Sequence, residues 1–291
     1  MNRTLTRQSY ADRIARVAQY IAQHLDEPLM LERLAAVACF SPFHFHRIYS
    51  AITGETVADT VRRGRLQRAA TQLIGSNQPI ATIAQAAGYG STAAFARAFA
   101  AAHGLPPGAF RKGRRPSAFA GTAVSTTGGC VMNHAISIET LPARRLLALR
   151  HVGPYDGLDG AFTRLSAWAG TRGLMGSQSQ AFAIYLNDCF AVPADSLLTD
   201  VALSVPPGTE GEGDFRMIDL PGGRHAVLHH QGPYAELGAA WRWLYGDWLP
   251  RSGEEIADRP AFDAYLNDPR TLPPAQWRTD LCLPLAEHDE P

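Results

Sequence analysis

Two matching segments of the chain place acidic and aromatic side chains where they could act on a small molecule. In residues 261–267, Asp263 and Tyr265 alternate with apolar residues, so both side chains point to the same side of a strand. Tyr185 has the equivalent position in residues 181–187. A carboxylate among aromatic rings suits a lipophilic cation, through charge pairing and cation–π contact. Alternatively, Asp263 and Tyr265 could activate water near an electrophile.

The same alternation predicts which face of a sheet these groups occupy. Phe262, Ala264 and Leu266 are the apolar residues of the segment. Because a sheet buries its apolar face against other elements, we expect these three side chains on the face covered by helices. Asp263 and the tyrosines are then expected to line a groove on the face away from the helices.

Both segments belong to a longer unit that occurs twice. His151–Tyr155 (HVGPY) matches His230–Tyr234 (HQGPY) at an offset of 79 residues. After a one-residue insertion, residues 181–188 (AFAIYLND) match residues 261–268 (AFDAYLND). Each copy has the pattern of a strand, a Gly-Pro-Tyr turn, an amphipathic helix, a strand, an Asn-Asp turn and a strand.

This duplication predicts the architecture of the second half of the chain. The copies span about 132–206 and 215–286, and they predict an α+β domain at residues 132–291 with two sheet–helix units and antiparallel strands. Tyr155 and Tyr234 follow the Gly-Pro turns at the helix entrances. A role in the turn and a place on the rim of a cavity are both open for them.

A different repeat occupies the first part of the chain. Ser41–Gly54 matches Ser91–Gly104 at an offset of fifty residues, with serine at the start of each helix and glycine at its end. A short apolar helix precedes each copy, so each forms a helix-turn-helix unit whose second helix can enter the major groove of DNA. The units are predicted at about 31–53 and 80–103, within an all-α domain at residues 1–113.

The turn of the first unit contains an unusual residue. Cys39 stands where the second unit has Gly88. If this position needs a positive φ, cysteine there costs on the order of 1 kcal/mol relative to glycine. We therefore expect the two turns to differ in shape.

The charges of the two halves differ in sign, although the chain as a whole is neutral. Residues 1–116 contain 15 Lys and Arg against 6 Asp and Glu, a balance of +9, and residues 117–291 have a balance of −9. This charge pattern is typical of a protein in which one domain contacts phosphate groups. Residues 114–131 are rich in Ser, Thr, Gly and Ala and are predicted to be a linker.

Several classes of protein are not indicated. The four cysteines form no CxxC pair, and His44 and His46 are two residues apart and do not share a helix face, so no metal site is expected. No motif for a nucleotide cofactor is present. No apolar run approaches the ~20 residues of a membrane span, and the first residues lack a signal sequence, so we expect a cytoplasmic protein without a membrane partner.

Residues 8–113 resemble the AraC/XylS family of transcription regulators. The resemblance implies a seven-helix domain that places two recognition helices about one DNA turn (~34 Å) apart. The matching positions are Gly88-Tyr89-x-Ser91-x-x-x-Phe95-x-Arg97-x-Phe99, Gly104, Pro107 and Phe110-Arg111.

This resemblance implies which side chains read bases, namely the exposed positions near the start of each recognition helix. Arginine can pair bidentately with guanine, and phenylalanine can contact a thymine methyl group. The outer face of the second recognition helix is mostly alanine, so we expect the first unit to determine most sequence specificity and the second to contact mainly phosphate. The candidate DNA-binding residues are Phe43, His46, Arg47, Thr92, Ala93 and Arg97.

Residues 132–286 resemble the GyrI-like effector-binding domains. The matching segments are the two His-x-Gly-Pro-Tyr stretches, Leu220-Pro221-Gly222-Gly223, Trp248-Leu249-Pro250-x-Ser252-Gly253 and Tyr265-Leu266-Asn267-Asp268. That family usually has glutamate where this chain has the shorter Asp263. The candidate ligand-binding residues are Asp263, Tyr265, Tyr185, Tyr155 and Tyr234.

Together the two resemblances predict a transcription regulator. A small, lipophilic or cationic effector would bind the second domain and control the binding of double-stranded DNA by the first, with RNA polymerase as a further partner. The resemblance to GyrI-like proteins also implies an alternative, a hydrolase of reactive small molecules in the second domain, with Asp263 and Tyr265 as its catalytic residues. No cofactor is expected for either function.

Overall fold

The computed structural model describes residues 3–42, 44–113, 134–176, 179–187 and 192–287. The predicted linker at 114–131 and the candidate base-reading residue Phe43 lie outside the described residues. Within them, no helix is both long enough and apolar enough to cross a membrane.

The first part of the chain is helical, as predicted. Each predicted helix-turn-helix unit contains a short helix and a longer one, α2 with α3 and α5 with α6, and α4 connects the units. The helices of this part are α1 (Arg3–Gln23), α2 (Leu31–Ala38), α3 (Phe45–Thr53), α4 (Val57–Gly75), α5 (Ile80–Ala86), α6 (Thr92–His103) and α7 (Pro107–Lys112).

The two longer helices end alike but begin differently. Gly54 and Gly104 follow α3 and α6 with φ of 74° and 75°. Ser91 caps α6, since its hydroxyl accepts a hydrogen bond from the amide of Ala94 at 3.2 Å. The hydroxyl of Ser41, the predicted cap of α3, donates to the carboxylate of Asp258 in the second domain, and its carbonyl accepts from the amide of Phe45 at 3.0 Å.

Each of the two turns contains one residue whose backbone has the left-handed conformation. Cys39 has φ of 53° and ψ of 43°, and Gly88 has φ of 85°. The expected difference between the turns therefore does not arise in the conformation at Cys39; it lies in their length, because the first turn has one residue fewer before the serine that follows it. The backbone of Cys39 thus lies in a region of φ and ψ that is unfavourable for a residue with a Cβ. Beside it, the side chain of Arg13 donates a hydrogen bond to the carbonyl of Ala38 at 2.7 Å.

The second part of the chain forms one eight-stranded sheet with antiparallel neighbours. Its order is β1-β6-β8-β7-β3-β4-β2-β5. The strands are β1 (Ala135–Leu141), β2 (Arg144–Val152), β3 (Ala181–Tyr185), β4 (Leu198–Ser204), β5 (Phe215–Leu220), β6 (Gly223–Gln231), β7 (Phe262–Tyr265) and β8 (Arg278–Pro284). The longer helices are α8 (Leu158–Thr171), α9 (Leu237–Trp243) and α10 (Leu249–Ser252), with a π-helical turn at Leu244–Trp248 between the last two.

The predicted duplication is present, but the two copies exchange their first strands. Strand β1 of the first copy pairs with β6 of the second, and β5 of the second copy pairs with β2 of the first. The two connections cross where a Cβ on Gly222 would meet the carbonyl oxygen of Leu141 at 2.6 Å. Only glycine permits this approach of the two backbones. The central pair, β3 and β7, joins the copies in the middle of the sheet.

The predicted assignment of the sheet faces is wrong. Asp263, Tyr185 and Tyr265 lie on the face that carries the helices: Trp241 of α9 contacts Asp263, and Phe162 of α8 contacts Tyr265. The apolar set is buried on the opposite face, in a cluster that contains no described residue of α8 or α9. That cluster includes Phe182, Ile184, Phe262 and Ala264. Both faces of the central strands are buried, so the size of the apolar residues does not identify the helix side.

The first helix-turn-helix unit packs against the second copy of the sheet domain. One apolar cluster runs from Tyr10 in α1 and Ile48 in α3 to Leu244 and Leu249 beside α9. The second unit has a separate core around Phe95 and Phe99. The two DNA-binding units therefore differ in surroundings, because only the first shares its core with the C-terminal domain.

Candidate effector and DNA-binding sites

Asp263 is completely buried beneath a groove between α8 and α9. Its position on β7 is opposite Ala183 on β3. The hydroxyl group of Tyr185 donates a hydrogen bond to one carboxylate oxygen of Asp263, and the indole N–H of Trp241 donates to the other at 3.1 Å. Both oxygens thus have a donor from an aromatic side chain.

Burial determines the charge state of this carboxyl group. Desolvation raises the pKa of Asp263 to about 7, while the hydrogen bonds from Tyr185 and Trp241 and the positive charge of Arg47 act in the opposite direction. The group therefore changes charge near neutral pH. A cation placed nearby favours its ionised form.

Aromatic rings form the walls of the groove in two equivalent sets. In the first, the ring of Tyr155 lies 5.4 Å from that of Tyr185, and Trp241 lies 6.2 Å from Tyr185. In the second, Tyr234 and Phe162 lie 5.2 and 5.5 Å from Tyr265. The groove has a volume of about 1930 Å³. It brings together all four candidate tyrosines, with Asp263 directly beneath Tyr185 and Trp241.

Sequence reasoning missed two of these aromatic residues. The spacing of Leu237, Trp241 and Leu244 predicts an apolar stripe along the helix, in which Trp241 looks like a core residue, and Phe162 does not stand out in the sequence. The offset of 79 residues makes Phe162 and Trp241 equivalent, and each contacts the tyrosine of the other copy. An aromatic residue retained at the same helix position in both copies was the signal that could have identified them.

The charged groups around the groove are mostly acidic. Six carboxylates and three arginines line it, in addition to the buried Asp263 below. Four of these carboxylates form ion pairs with arginines at 2.7–2.8 Å: Glu55 with Arg63, Asp59 with Arg62, Asp247 with Arg251 and Asp268 with Arg270. The remaining charges are Asp156, Asp159 and Asp263 against Arg47 and Arg242, a small acidic excess that favours a positively charged ligand. The lining charged residues are Glu55, Asp59, Asp156, Asp159, Asp247 and Asp268, with Arg47, Arg242 and Arg270.

The expectation that His46 and Arg47 are exposed is wrong. His46 is 7% exposed and Arg47 is 8% exposed, because α3 faces the groove of the C-terminal domain. The guanidinium carbon of Arg47 lies 5.2 Å from the ring centre of Tyr185, 6.0 Å from that of Trp241 and 5.9 Å from that of Tyr245. A residue predicted to read DNA thus lies among the residues predicted to bind the effector.

His44, at the start of α3, is a contact between the two domains. Its Nδ1 lies 2.9 Å from the hydroxyl of Tyr245, and its Nε2 lies 2.8 Å from the carbonyl oxygen of Arg259. Burial, and next the charge of Arg47, lower the pKa of His44 to about 3. The imidazole is therefore neutral, with one nitrogen accepting from tyrosine and the other donating to the carbonyl.

The second recognition helix has the exposure that was predicted. Thr92, Ala93 and Arg97 are all exposed on α6, opposite the buried Phe95 and Phe99. A helix with an exposed, capped N-terminal turn and an exposed arginine can approach a DNA backbone without rearrangement.

Comparison with known proteins assigns both parts of the chain. A family model described as a GyrI-like small molecule binding domain matches residues 134–286, and one described as a helix-turn-helix domain matches residues 34–113. The DNA gyrase inhibitor 2 of Dickeya dadantii is 34% identical over 137 residues, which are 46% of this chain and 85% of that protein.

The relatives of the first part are regulators. The MmsAB operon regulatory protein of Pseudomonas aeruginosa is 40% identical over 93 residues, which are 32% of this chain and 30% of that protein. The chain thus spans about a third of the length of this regulator. A solved EcmrR–DNA complex covers 89% of this chain and 99% of that chain, at a TM-score of 0.48 and 12% identity.

The match to residues 134–286 covers more than half of the chain, and it contains the two sets of aromatic residues and Asp263. The AraC-type helix-turn-helix units precede it. The chain therefore belongs to the GyrI-like small-molecule-binding family, with an AraC-type helix-turn-helix domain in front of the small-molecule-binding domain.

Proposed function

We propose that this protein is a transcription regulator that binds a specific DNA sequence and is controlled by a small lipophilic cation in the groove of its C-terminal domain. The observation that carries this proposal is the carboxylate of Asp263 buried under the rings of Tyr185 and Trp241. Both parts of the proposal agree with the families of the two domains. RNA polymerase is the expected further partner at a promoter.

The groove suits a cation for two physical reasons. Tyrosine and tryptophan faces attract a positive charge, by about 0.5–1 kcal/mol when exposed and about 2 kcal/mol when desolvated. The acidic rim and Asp263 add a negative potential. Asp263 is not itself at the groove surface. Its charge would therefore act on a ligand across the intervening aromatic rings, or directly after Tyr185 has moved.

DNA binding is supported by the position of the second unit and by charge. The exposed N-terminal turn of α6 has Arg97 on its outer face. Residues 1–116 have a balance of +9, which favours association with a polyanion. This unit is therefore available to DNA in the arrangement described.

The geometry supports binding more than hydrolysis. A general base must reach a water molecule at about 2.6–3.2 Å, but Asp263 is completely buried beneath the rings of Tyr185 and Trp241 and does not line the groove. The alternative function, with Asp263 and Tyr265 as catalytic residues, would require these rings to move so that water reaches the carboxylate.

DNA binding is tested by selecting bound fragments from a genomic pool with the full chain. Wild type is expected to enrich one defined sequence, and Arg97→Ala is expected to recover it more weakly. Arg164→Ala, which removes an exposed arginine paired with Asp214 in the C-terminal domain, is the matched control and should behave as wild type. Absence of any enriched sequence with folded wild type, selected both without and with benzyltrimethylammonium, would refute the DNA-binding part.

Effector binding is tested by calorimetry with benzyltrimethylammonium and its uncharged isostere neopentylbenzene. We expect the cation to bind more tightly, and Trp241→Leu to weaken it by about fivefold or more. Asp263→Asn is expected to weaken binding, whereas loss of a hydrolytic activity in this variant would favour the enzyme. Equal binding of both probes would refute a cation site.

A further inference from the structure

The recognition helix of the first DNA-binding unit lies across the mouth of the effector groove. Arg47, Ser50 and Ala51 of α3 line the groove on one side, and residues of α8 and α9 line it on the other. The guanidinium of Arg47 is within 6.0 Å of the ring centres of Tyr185, Trp241 and Tyr245. This is the range of a cation–π contact, so Arg47 occupies the place that a cationic ligand would take.

Further contacts hold this helix and its surroundings against the C-terminal domain. His44 contacts Tyr245 and the carbonyl of Arg259 at 2.9 and 2.8 Å. Arg13 of α1 forms an ion pair with Glu255 at 2.9 Å. The apolar cluster described above is continuous across the same boundary. The contact of Arg47 is therefore part of a packed interface.

The backbone of α3 approaches the C-terminal domain closely at one glycine. A Cβ on Gly246, in the π-helical turn, would lie 2.9 Å from the carbonyl oxygen of Ala51 and 3.1 Å from its Cβ. By contrast, a Cβ on Gly170, in α8 and outside the groove lining, would meet no atom within 4 Å. The interface thus depends on the absence of a side chain at position 246.

We propose that the C-terminal domain is the docking site of the first recognition helix, that Arg47 is its internal cationic ligand, and that an effector cation replacing Arg47 releases the helix to DNA. The inference rests on the proposed function and adds its regulation. In the docked arrangement, the side of α3 that carries Arg47 and Ser50 faces the groove and is closed to DNA. The second unit, with α6 exposed, remains able to contact DNA alone.

Thermodynamic linkage gives this proposal a definite consequence. The cation binds only where Arg47 has left, and DNA binds α3 only after undocking. Both ligands therefore favour the undocked state. Each must therefore increase the affinity of the protein for the other by the same factor. Arg47→Met, which retains a side chain of similar length without the charge, is expected to bind benzyltrimethylammonium about fivefold more tightly than wild type because no guanidinium must be displaced.

The direct test locks the helix in place. The double variant Ser41→Cys/Asp258→Cys, with Cys39, Cys130 and Cys189 replaced by serine, puts two thiols where the hydroxyl of Ser41 donates to the carboxylate of Asp258 across the interface, so that a disulfide can replace this hydrogen bond. We expect the oxidised protein to bind the selected DNA at least about tenfold more weakly than the reduced protein, and without response to the cation. Each single-cysteine variant, oxidised in the same way, is the control.

A wedge at Gly246 should have the opposite effect. Gly246→Leu is expected to increase DNA affinity in the absence of the cation by about tenfold and to remove its response to the cation. Gly170→Leu, the matched variant in α8 outside the groove, should behave as wild type. Failure of the cysteine pair to cross-link, or unchanged DNA affinity in the locked and wedged variants, would overturn the docking proposal. If the reduced protein binds no DNA even with the cation, the proposed function itself fails.

Discussion

Asp263 titrates near neutral pH because its carboxyl group has lost its hydration and regained only two hydrogen bonds. Its pKa is raised from 3.8 to about 7 by burial, against the effects of Tyr185, Trp241 and Arg47. Sequence alternation predicted that this carboxylate shares a face with aromatic residues. The raised pKa follows from the depth of the site, which alternation does not specify.

The first prediction at the residue scale concerns ligand affinity and pH. Below pH 7, Asp263 is mostly protonated and attracts a cation less. We expect the affinity for benzyltrimethylammonium to rise between pH 6 and pH 8, by up to about tenfold per pH unit. Calorimetry at several pH values measures this. Asp263→Asn is expected to bind weakly with little dependence on pH, and an equal slope in both proteins would contradict the role of Asp263.

The second prediction concerns stability. Between pH 3.8 and about 7, the folded protein retains a proton on Asp263 that the unfolded chain has lost, so the free energy of unfolding falls as pH rises through this range. The shift of about three pKa units sets the size at about 4 kcal/mol. Denaturant unfolding of wild type and Asp263→Asn should show this as a difference in slope. Parallel pH curves would contradict it.

The turn between α2 and α3 gives a prediction at the scale of the element. Cys39 has a left-handed backbone, where a Cβ is disfavoured. Cys39→Gly is expected to raise the free energy of unfolding by about 1 kcal/mol, because glycine adopts this conformation without strain. Chemical denaturation measures the difference. A loss of stability in Cys39→Gly would mean that contacts of the thiol outweigh the backbone strain.

The recognition helix α6 gives another prediction. Its exposed face has Thr92 and Arg97 among alanines, so it offers few groups that distinguish bases. We expect Arg97→Ala to weaken binding similarly for all sequences and to reduce the slope of log affinity against log salt by about one. Titrations at several salt concentrations with the selected site and a scrambled site measure both effects. Relaxed specificity at one base pair would instead indicate base reading by Arg97.

At the scale of the whole molecule, His44 makes docking sensitive to acid. Its pKa is about 3 in the docked interface, where it faces Tyr245, the carbonyl of Arg259, Arg47 and Asp258, against 6.5 for an unperturbed imidazole. Undocking exposes the ring, so protonation below pH 6.5 favours the undocked state. The interface is expected to weaken by up to about tenfold per pH unit below that value.

Energy transfer between dyes placed on the two domains would measure this change. His44→Gln, which can both accept and donate a hydrogen bond but does not titrate, is the control and should undock less steeply. Docking that is independent of pH in wild type would contradict the role of His44.

Much of the fold could be predicted because repeats and periodicity are local properties of the chain. The offset of fifty residues identified both helix-turn-helix units, and the offset of 79 to 80 residues identified the two sheet–helix copies. Ser91, Gly54 and Gly104 were also predicted correctly, because caps involve residues three or four positions apart. The four tyrosines of the groove were predicted from the same repeat, and the equivalent positions of the two copies line one groove.

The sequence by itself determined the two kinds of domain, the pairing of equivalent residues and the presence of a carboxylate among aromatic rings. Only the tertiary structure decided that the copies exchange their first strands, that Asp263 faces the helices, and that Arg47 enters the groove. Each of these depends on contacts between residues far apart in the chain. An arginine on the outer face of a helix has the same local sequence pattern whether its partner is DNA or the aromatic side chains of another domain. Only the packing of the domains distinguishes these two partners.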